Sequence, residues 1–177
     1  MFANSGVKNG ILLGIVYLVY SQVCYMINPK WILNAVAFFG YVLIIFFMYR
    51  SAVEEKRNNE GFLSFGEALK ATFTTYVIGT FFYASYIYLM FNVFDPSLQD
   101  TMREVSLETA EYFANLAGGN EEQMDLVHDQ LEDQEFQMSF SLSFLNYLIG
   151  LIFPGFVLAL VISAITKKVN DGDTLDS

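Results

Sequence analysis

The sequence predicts an all-α membrane protein with four transmembrane helices and an acidic extracytoplasmic helical hairpin between spans three and four. The chain has 177 residues, of which 54% are hydrophobic and 17% aromatic. It is therefore too apolar for an ordinary soluble domain. It is also too short for a membrane unit plus a second, globular domain, so we expect one membrane domain over residues 1–177. Four apolar runs approach the length of about 20 residues that a helix needs to cross a bilayer. Most of the acidic residues, twelve of 19, lie between the third run and the fourth.

A very short turn joins the first two predicted spans. The first span, 9–27, ends before Pro29, because proline lacks a backbone donor and disfavours helix in the residue before it. The second span, 31–49, follows at once, so we expect a tight antiparallel hairpin. The first six residues include no basic residue, and no small-residue cleavage site follows the first run. We therefore expect the first span to stay in the membrane rather than to be removed as a signal peptide.

The third predicted span has a recognisable start. The polar segment before it, 50–63, is typical of a solvated connector that begins as a continuation of the second helix. Ser64 and Glu67 then form a capping box, in which each side chain accepts a hydrogen bond from a first-turn amide. The apolar pattern predicts a span over 66–94, which Pro96 helps to end.

The fourth predicted span, 143–166, contains helix-disturbing residues near its middle. These are Gly150, Pro154 and Gly155, so we expect a kink there. The acidic tail that follows, 169–177, is expected to be disordered.

The extracytoplasmic helical region, 95–142, carries most of the acidic residues. Residues 95–140 contain twelve acidic residues and one basic residue. Apolar residues recur there at helical spacing: Leu98, Met102, Val105, Tyr112 and Leu116. After Gly118-Gly119, which is a strong helix stop, a second apolar face follows: Met124, Val127, Leu131 and Met138. The pattern predicts two paired helices that are acidic on their outer face.

The distribution of lysine and arginine predicts the orientation. With the N-terminus inside, seven of these residues lie on the cytoplasmic side and two, Lys30 and Arg103, lie outside. The positive-inside rule therefore favours a cytoplasmic N-terminus and a cytoplasmic C-terminus.

Four features occur together in this chain: the segment 61–70 (GFLSFGEALK) before the third span, the exit at 92–96, the glutamate-rich outer helices and the final lysine pair, Lys167-Lys168. With these features the chain resembles domain-of-unknown-function family 4199, four-span membrane proteins found mainly in Bacteroidota. The resemblance implies a bacterial inner-membrane location and supports the count of four spans. It implies no activity, substrate or catalytic residue.

The sequence contains no aspartate, glutamate, lysine, arginine or histidine over residues 10–28, 31–49, 71–94 and 143–166. Glu67 and Lys70, in the first turn of the third span, are expected at the membrane interface. Proton-coupled transporters, voltage sensors and intramembrane metalloproteases need charges or ligands at depth, so these classes are disfavoured. The sequence offers no catalytic group, so we expect no enzyme and no cofactor, and the lone cysteine, Cys24, permits no internal disulfide. A passive pore stays an alternative, with a lining of Thr72, Thr75, Ser85 and Asn146.

The single histidine lies on an acidic helical face. Asp125, His128 and Glu132 are three and four residues apart and share one face, which makes them weak candidate ligands for a divalent cation. A solvated acidic surface is the favoured interpretation, because no second element adds ligands.

Two further patterns suggest contacts. Gly6, Gly10 and Gly14 recur every fourth residue, which permits close helix approach, either within the bundle or in a dimer. Acidic residues of the outer hairpin form a candidate docking surface for a basic partner: Glu121, Glu122, Asp125 and Asp129. The aromatic residues of the third span suit packing, with a ligand pocket as the alternative: Tyr76, Phe81, Phe82, Tyr83, Tyr86 and Tyr88.

These observations together favour a non-enzymatic membrane scaffold or accessory subunit that meets a partner through the acidic hairpin. The alternative is a small oligomeric channel or transporter for an uncharged or cationic solute. The expected partners are the lipid bilayer and either another protein or further copies of this chain. Nucleic acid is not expected, because the sequence has no basic patch.

Overall fold

The structure is a computed structural model that describes residues 4–33, 35–116 and 139–168. The described residues are helical apart from short connections and one isolated antiparallel bridge between Leu63 and Lys168. The helices are α1 (Ser5–Ile27), α2 (Ala35–Asn58), α3 (Phe65–Leu89), α4 (Leu98–Leu116), α5 (Phe140–Gly150) and α6 (Val157–Thr166). Short helical turns lie at Pro29–Ile32, Met90–Phe94 and Leu151–Phe156.

Three helical segments of the described chain are long and apolar enough to cross a membrane. They are Ser5–Ile27, Phe65–Phe94 and Phe140–Thr166, which correspond to the predicted first, third and fourth spans. The chain therefore has the make-up of a multi-pass membrane protein. The predicted second span, 31–49, overlaps α2.

The helix ends agree with the sequence pattern at some points and differ from it at others. The capping box is present, since the Ser64 amide donates to Glu67 Oε2 at 2.9 Å and the Glu67 amide donates to Ser64 Oγ at 3.3 Å. α2 continues to Asn58, as the start of the polar connector predicted. The first helix begins four residues before the predicted span, at Ser5, where the Asn4 side chain accepts from the Gly6 amide.

The predicted kink in the last span is confirmed. Phe153 has extended backbone angles, φ −137° and ψ 121°, between α5 and α6. The following residue, Pro154, has no backbone N–H to donate within a helix. As a result α5 and α6 have different neighbours: α6 lies close to both α2 and α3, whereas α5 lies close to α3 and, in the described ranges, its Cα atoms stay more than 8 Å from those of α2.

α1 and α3 form the most extensive helix pair of the bundle. The two helices run parallel, since Gly6 lies against Ala71 and Thr74, and Gly14, farther along α1, lies against Phe82. α2 runs antiparallel to α1, because Lys8 and Tyr17 of α1 approach Glu54 and Gly40 of α2. The predicted tight hairpin between the first two helices is therefore confirmed.

α4 lies at the end of the bundle. It contacts the turns Pro29–Ile32 and Met90–Phe94, and its first apolar residue, Leu98, is fully buried there. Its length and its acidic character match the first helix of the predicted hairpin. The predicted second helix of that hairpin and the acidic tail lie outside the described residues.

Candidate functional site

A cavity of about 370 Å³ lies among α1, α2, α3 and α5. Ligand sites in proteins commonly have volumes of about 300–1,000 Å³, so its size suits a small molecule. We call it the tyrosine cavity. Its lining residues are Tyr17, Ile32, Leu33, Tyr41, Ile44, Tyr76, Thr80, Tyr83, Ala84, Ile87, Ser143, Asn146, Tyr147 and Gly150.

Two tyrosine contacts hold α5 against α3 at this cavity. The Tyr76 hydroxyl donates to the Gly150 carbonyl at 3.0 Å, and the Tyr147 hydroxyl donates to the Val77 carbonyl at 3.0 Å. The Gly150 carbonyl lies at the end of α5, where the break removes regular helical partners. Tyr76 therefore satisfies an acceptor that the break exposes, as a helix end within a bundle requires.

Other polar groups of the tyrosine cavity have no partner. Within the described ranges, the hydroxyls of Tyr17, Tyr41 and Tyr83 make no hydrogen bond. Ser143 Oγ is buried and is likewise unpartnered among these residues. Tyr17 and Tyr83 stack with ring centroids 4.4 Å apart and an interplanar angle of 14°. The cavity thus combines a flat aromatic wall with free hydroxyl groups.

A second polar group lies at the other end of α1 and α2. We call it the Glu54 cluster, and it consists of Ser5, Lys8, Asn9, Glu54 and Glu55. Asn9 is fully buried and donates to Glu54 Oε2 at 2.9 Å, while Lys8 pairs with Glu54 and Ser5 donates to Glu55. Hydrogen bonds from Lys8 and then Asn9 hold the pKa of Glu54 below its ordinary value.

The Glu54 cluster corrects one sequence expectation. The segment after the second span was expected to be a solvated connector, yet Ser51 and Ala52 are fully buried there and Glu54 is tied to α1. The reason is the antiparallel pairing with α1, which a local pattern does not reveal. The cluster connects the start of α1 to the last turns of α2. Its charged groups lie outside the apolar runs and have a structural role.

The opposite end of the bundle is held by contacts to α4. Lys30 Nζ lies 2.8 Å from carboxylate oxygens of both Glu104 and Glu108, and these hydrogen bonds raise the pKa of Lys30. Asp95 accepts from Ser97 and from the Tyr25 hydroxyl, and these bonds lower the pKa of Asp95. These contacts position α4 with respect to α1.

The end of α4 exposes large apolar side chains beside its acidic ones. Tyr112 and Phe113 are each 63% exposed and Leu116 is 67% exposed. The sequence pattern placed Tyr112 and Leu116 on the face that pairs with the second helix of the hairpin, and that helix lies outside the described residues.

The glycines Gly6, Gly10 and Gly14 face α3 of the same chain. A Cβ at Gly10 would lie 2.8 Å from Ile78 Cβ, and one at Gly14 would lie 2.7 Å from the Phe82 ring. Packing within the bundle, one of the two interpretations, therefore accounts for these glycines, while their contact with another molecule stays a prediction. The candidate acidic docking residues and metal ligands lie outside the described residues: Glu121, Glu122, Asp125, His128, Asp129 and Glu132.

The candidate pore residues do not line one passage in the described chain. Thr72 and Thr75 are fully buried and donate hydrogen bonds to the Ala68 and Ala71 carbonyls. Asn146 lines the tyrosine cavity, while Ser85 lines a separate depression.

Sequence reasoning missed Tyr17 and Tyr41, and it left Tyr76 and Tyr83 as one alternative among packing residues. A usable signal was present in α3, because Tyr76, Thr80 and Tyr83 are four and seven residues apart and share one helical face. The contributions of α1 and α2 depend on the register between helices, which no local spacing reveals.

Comparison with known families finds a match over residues 8–168 to a family model described as "Protein of unknown function (DUF4199)". No curated protein and no solved structure matches the chain.

Proposed function

The chain belongs to the DUF4199 family of proteins of unknown function, and from that premise we propose that it is a non-enzymatic accessory subunit or scaffold of the bacterial inner membrane. In this proposal it has four spans and cytoplasmic termini. It meets a protein partner through its acidic extracytoplasmic region, which begins with α4.

The parallel arrangement of α1 and α3 supports the fourth span. Both are among the candidate spans, and Gly6 and Gly14 of α1 meet Ala71 and Phe82 of α3 in the same order. A chain that crosses a membrane twice in the same direction must return once between the two crossings. α2 is the described helix between them, and its antiparallel contacts with α1 suit that return.

The orientation is supported by the positive-inside rule. In this arrangement α4 and the acidic region stand on the extracytoplasmic side, whereas the Glu54 cluster and the final lysine pair stand on the cytoplasmic side.

The observation that carries the accessory role is the surface of α4. It docks on the bundle through its first turns, and farther along it presents Phe113 to the surroundings beside acidic residues. Aromatic side chains supply much of the binding energy at protein interfaces, and clustered charge speeds the approach of an oppositely charged partner. This combination favours an interaction surface with a basic partner.

The test is quantitative co-purification from native membranes in mild detergent. The variant reverses four acidic residues of the region after α4: Glu121→Lys, Glu122→Lys, Asp125→Lys and Asp129→Lys. The matched control reverses acidic residues of the tail: Asp171→Lys, Asp173→Lys and Asp176→Lys. We expect a stoichiometric partner with the wild-type chain and the tail variant, and its loss with the first variant. Equal recovery with all three proteins contradicts the proposal.

The tyrosine cavity favours a second candidate, a channel or transporter. Because the lining residues carry no formal charge, the cavity suits an uncharged solute better than a cation. Solute flux into liposomes that contain the purified chain tests this candidate. Flux that a bulky residue at Ala84 blocks supports it, and flux equal to that of protein-free liposomes contradicts it.

A further inference from the structure

The break in the last span separates the backbones of α2 and α5 at the tyrosine cavity. On the cavity side of the break, α5 lies close to α3, while among the described residues its Cα atoms stay more than 8 Å from those of α2; beyond the break, α6 lies close to both α2 and α3. The wider spacing leaves a gap between the backbones of α2 and α5. In a chain whose helices span a bilayer, a gap between two helices at the depth of this cavity faces lipid rather than water.

The polar groups of the cavity call for a hydrogen-bonding ligand. In hydrocarbon, an unsatisfied polar group costs several kcal/mol. Among the described residues, Ser143 Oγ is buried without a partner, and the hydroxyls of Tyr17, Tyr41 and Tyr83 and the exposed Asn146 amide also make no hydrogen bond. Ser143 Oγ is buried, so water in the surroundings does not reach it directly.

The available groups define the ligand chemistry. Tyrosine and serine hydroxyls and the asparagine amide can each donate a hydrogen bond, so a ligand with carbonyl oxygens, which only accept, can be bound by all of them. Full charges are disfavoured because no lining residue is charged and a charge in this setting is costly. The apolar lining residues, such as Ile44, Ala84 and Ile87, suit a hydrocarbon body.

We propose that the tyrosine cavity binds an uncharged, membrane-dissolved molecule that carries carbonyl oxygens and enters sideways from the bilayer between α2 and α5. Two sources share this chemistry: the ring of a lipid-soluble quinone and the ester head of a neutral glyceride. The site is independent of the proposed accessory role, since it uses no residue of α4 or of the acidic region.

The test measures binding to the full chain in nanodiscs of phosphatidylcholine. The two probes are a short-tailed quinone and a short-chain diacylglycerol, each titrated while bound ligand is counted by native mass spectrometry. For the quinone, quenching of Trp31 gives a second readout, because Trp31 is the only tryptophan of the chain and precedes Ile32 of the cavity lining.

Two variants and a control locate the site. Ala84→Leu adds bulk inside the cavity and Asn146→Leu removes an amide donor, whereas Ser85→Leu adds bulk to the neighbouring residue, which lines a separate depression. We expect one saturable ligand per chain, an affinity at least about tenfold weaker in the first two variants, and an affinity within about twofold of wild type in the control. Size-exclusion profiles and circular dichroism check that each variant is folded.

The outcomes distinguish the two ligand sources from each other and decide whether the proposal holds. Saturable binding of the quinone alone or of the diacylglycerol alone identifies the ligand source. Saturable binding of both supports a site that recognises only the carbonyl oxygens. Non-saturable partition of both probes overturns the proposal. Equal affinity of wild type, Ala84→Leu and Asn146→Leu also overturns it. Because none of these results depends on a protein partner, failure here is distinguishable from failure of the accessory role.

Discussion

Gly79 of α3 lies against Leu13 of α1 so closely that a Cβ at residue 79 would be 2.3 Å from Leu13 Cδ2. Leu13 is fully buried, and the missing side chain at residue 79 is what admits it. Glycines of α1 make the reciprocal contacts, since Gly10 admits Ile78 and Gly14 admits Phe82. The two parallel helices are thus spaced by small residues, as close packing in membranes favours.

The first prediction concerns this spacing. Gly10→Ala is expected to lower stability by about 1–3 kcal/mol through overpacking, because its Cβ would lie 2.8 Å from Ile78 Cβ and 3.2 Å from the Thr75 carbonyl oxygen. Gly66→Ala is the control, since a Cβ there meets nothing within 4 Å. It is expected to be neutral or to gain up to about 1 kcal/mol of helix propensity. Denaturation in detergent compares the two, and equal stability of both variants contradicts the packing argument.

The second prediction concerns the contact of Tyr76 with the end of α5. Tyr76→Phe removes the donor to the Gly150 carbonyl and is expected to cost about 0.5–1.5 kcal/mol. Hydrogen exchange should increase locally at Leu151–Phe156, which follows this carbonyl. Tyr112→Phe, at an exposed position of α4, should change neither quantity. Unchanged hydrogen exchange at Leu151–Phe156 in Tyr76→Phe would show that the Tyr76 hydroxyl does not stabilise the break.

The third prediction concerns the pH dependence of the Glu54 cluster. Because the pKa of Glu54 is lowered in the folded chain, its stabilising contribution is complete above the ordinary value of 4.5 and is lost as the pH falls through the lowered value. Thermal stability of the wild type should therefore fall more steeply than that of Glu54→Gln between about pH 6 and pH 3. Glu60→Gln, at an exposed loop position, should follow the wild type. Parallel curves for wild type and Glu54→Gln refute the assignment.

The fourth prediction concerns the attachment of α4. Lys30→Gln removes the cation between Glu104 and Glu108, so amides of α4 should exchange faster while the melting of the bundle changes little, as exposed ion pairs contribute little to global stability. High salt should reproduce this effect in the wild type. Lys70→Gln, at the opposite end of the bundle, should leave the exchange of α4 unchanged. Unaltered exchange in Lys30→Gln means that apolar contacts alone hold α4.

Local signals in the sequence were sufficient for much of the fold. The capping box at Ser64 and Glu67, the break at Pro154 and the helical spacing of the α4 segment each depend on a few neighbouring residues, and each was predicted. The continuation of α2 into the start of the polar segment 50–63 was also predicted.

Contacts between distant helices could not be predicted in the same way. Glycine spacing in α1 indicated a close approach but did not name α3 as its partner. The pairing of Asn9 with Glu54 and the meeting of Tyr17 with Tyr83 depend on helix register, which is set by packing of the whole bundle. The tyrosine cavity follows from that register and from the divergence of α5, so its lining was only partly foreseeable.

The measurement that tests the account most directly is thiol labelling of the membrane topology. In a Cys24→Ala background, single cysteines replace Trp31 before α2, Asn58 at its end and Leu116 at the end of α4, and a membrane-impermeant reagent is applied to intact spheroplasts. The account predicts that Trp31→Cys and Leu116→Cys react at once, whereas Asn58→Cys reacts only after the membrane is opened. Reaction of Trp31→Cys and Asn58→Cys from the same side would show that α2 does not cross, and protection of Leu116→Cys would place the acidic region in the cytoplasm.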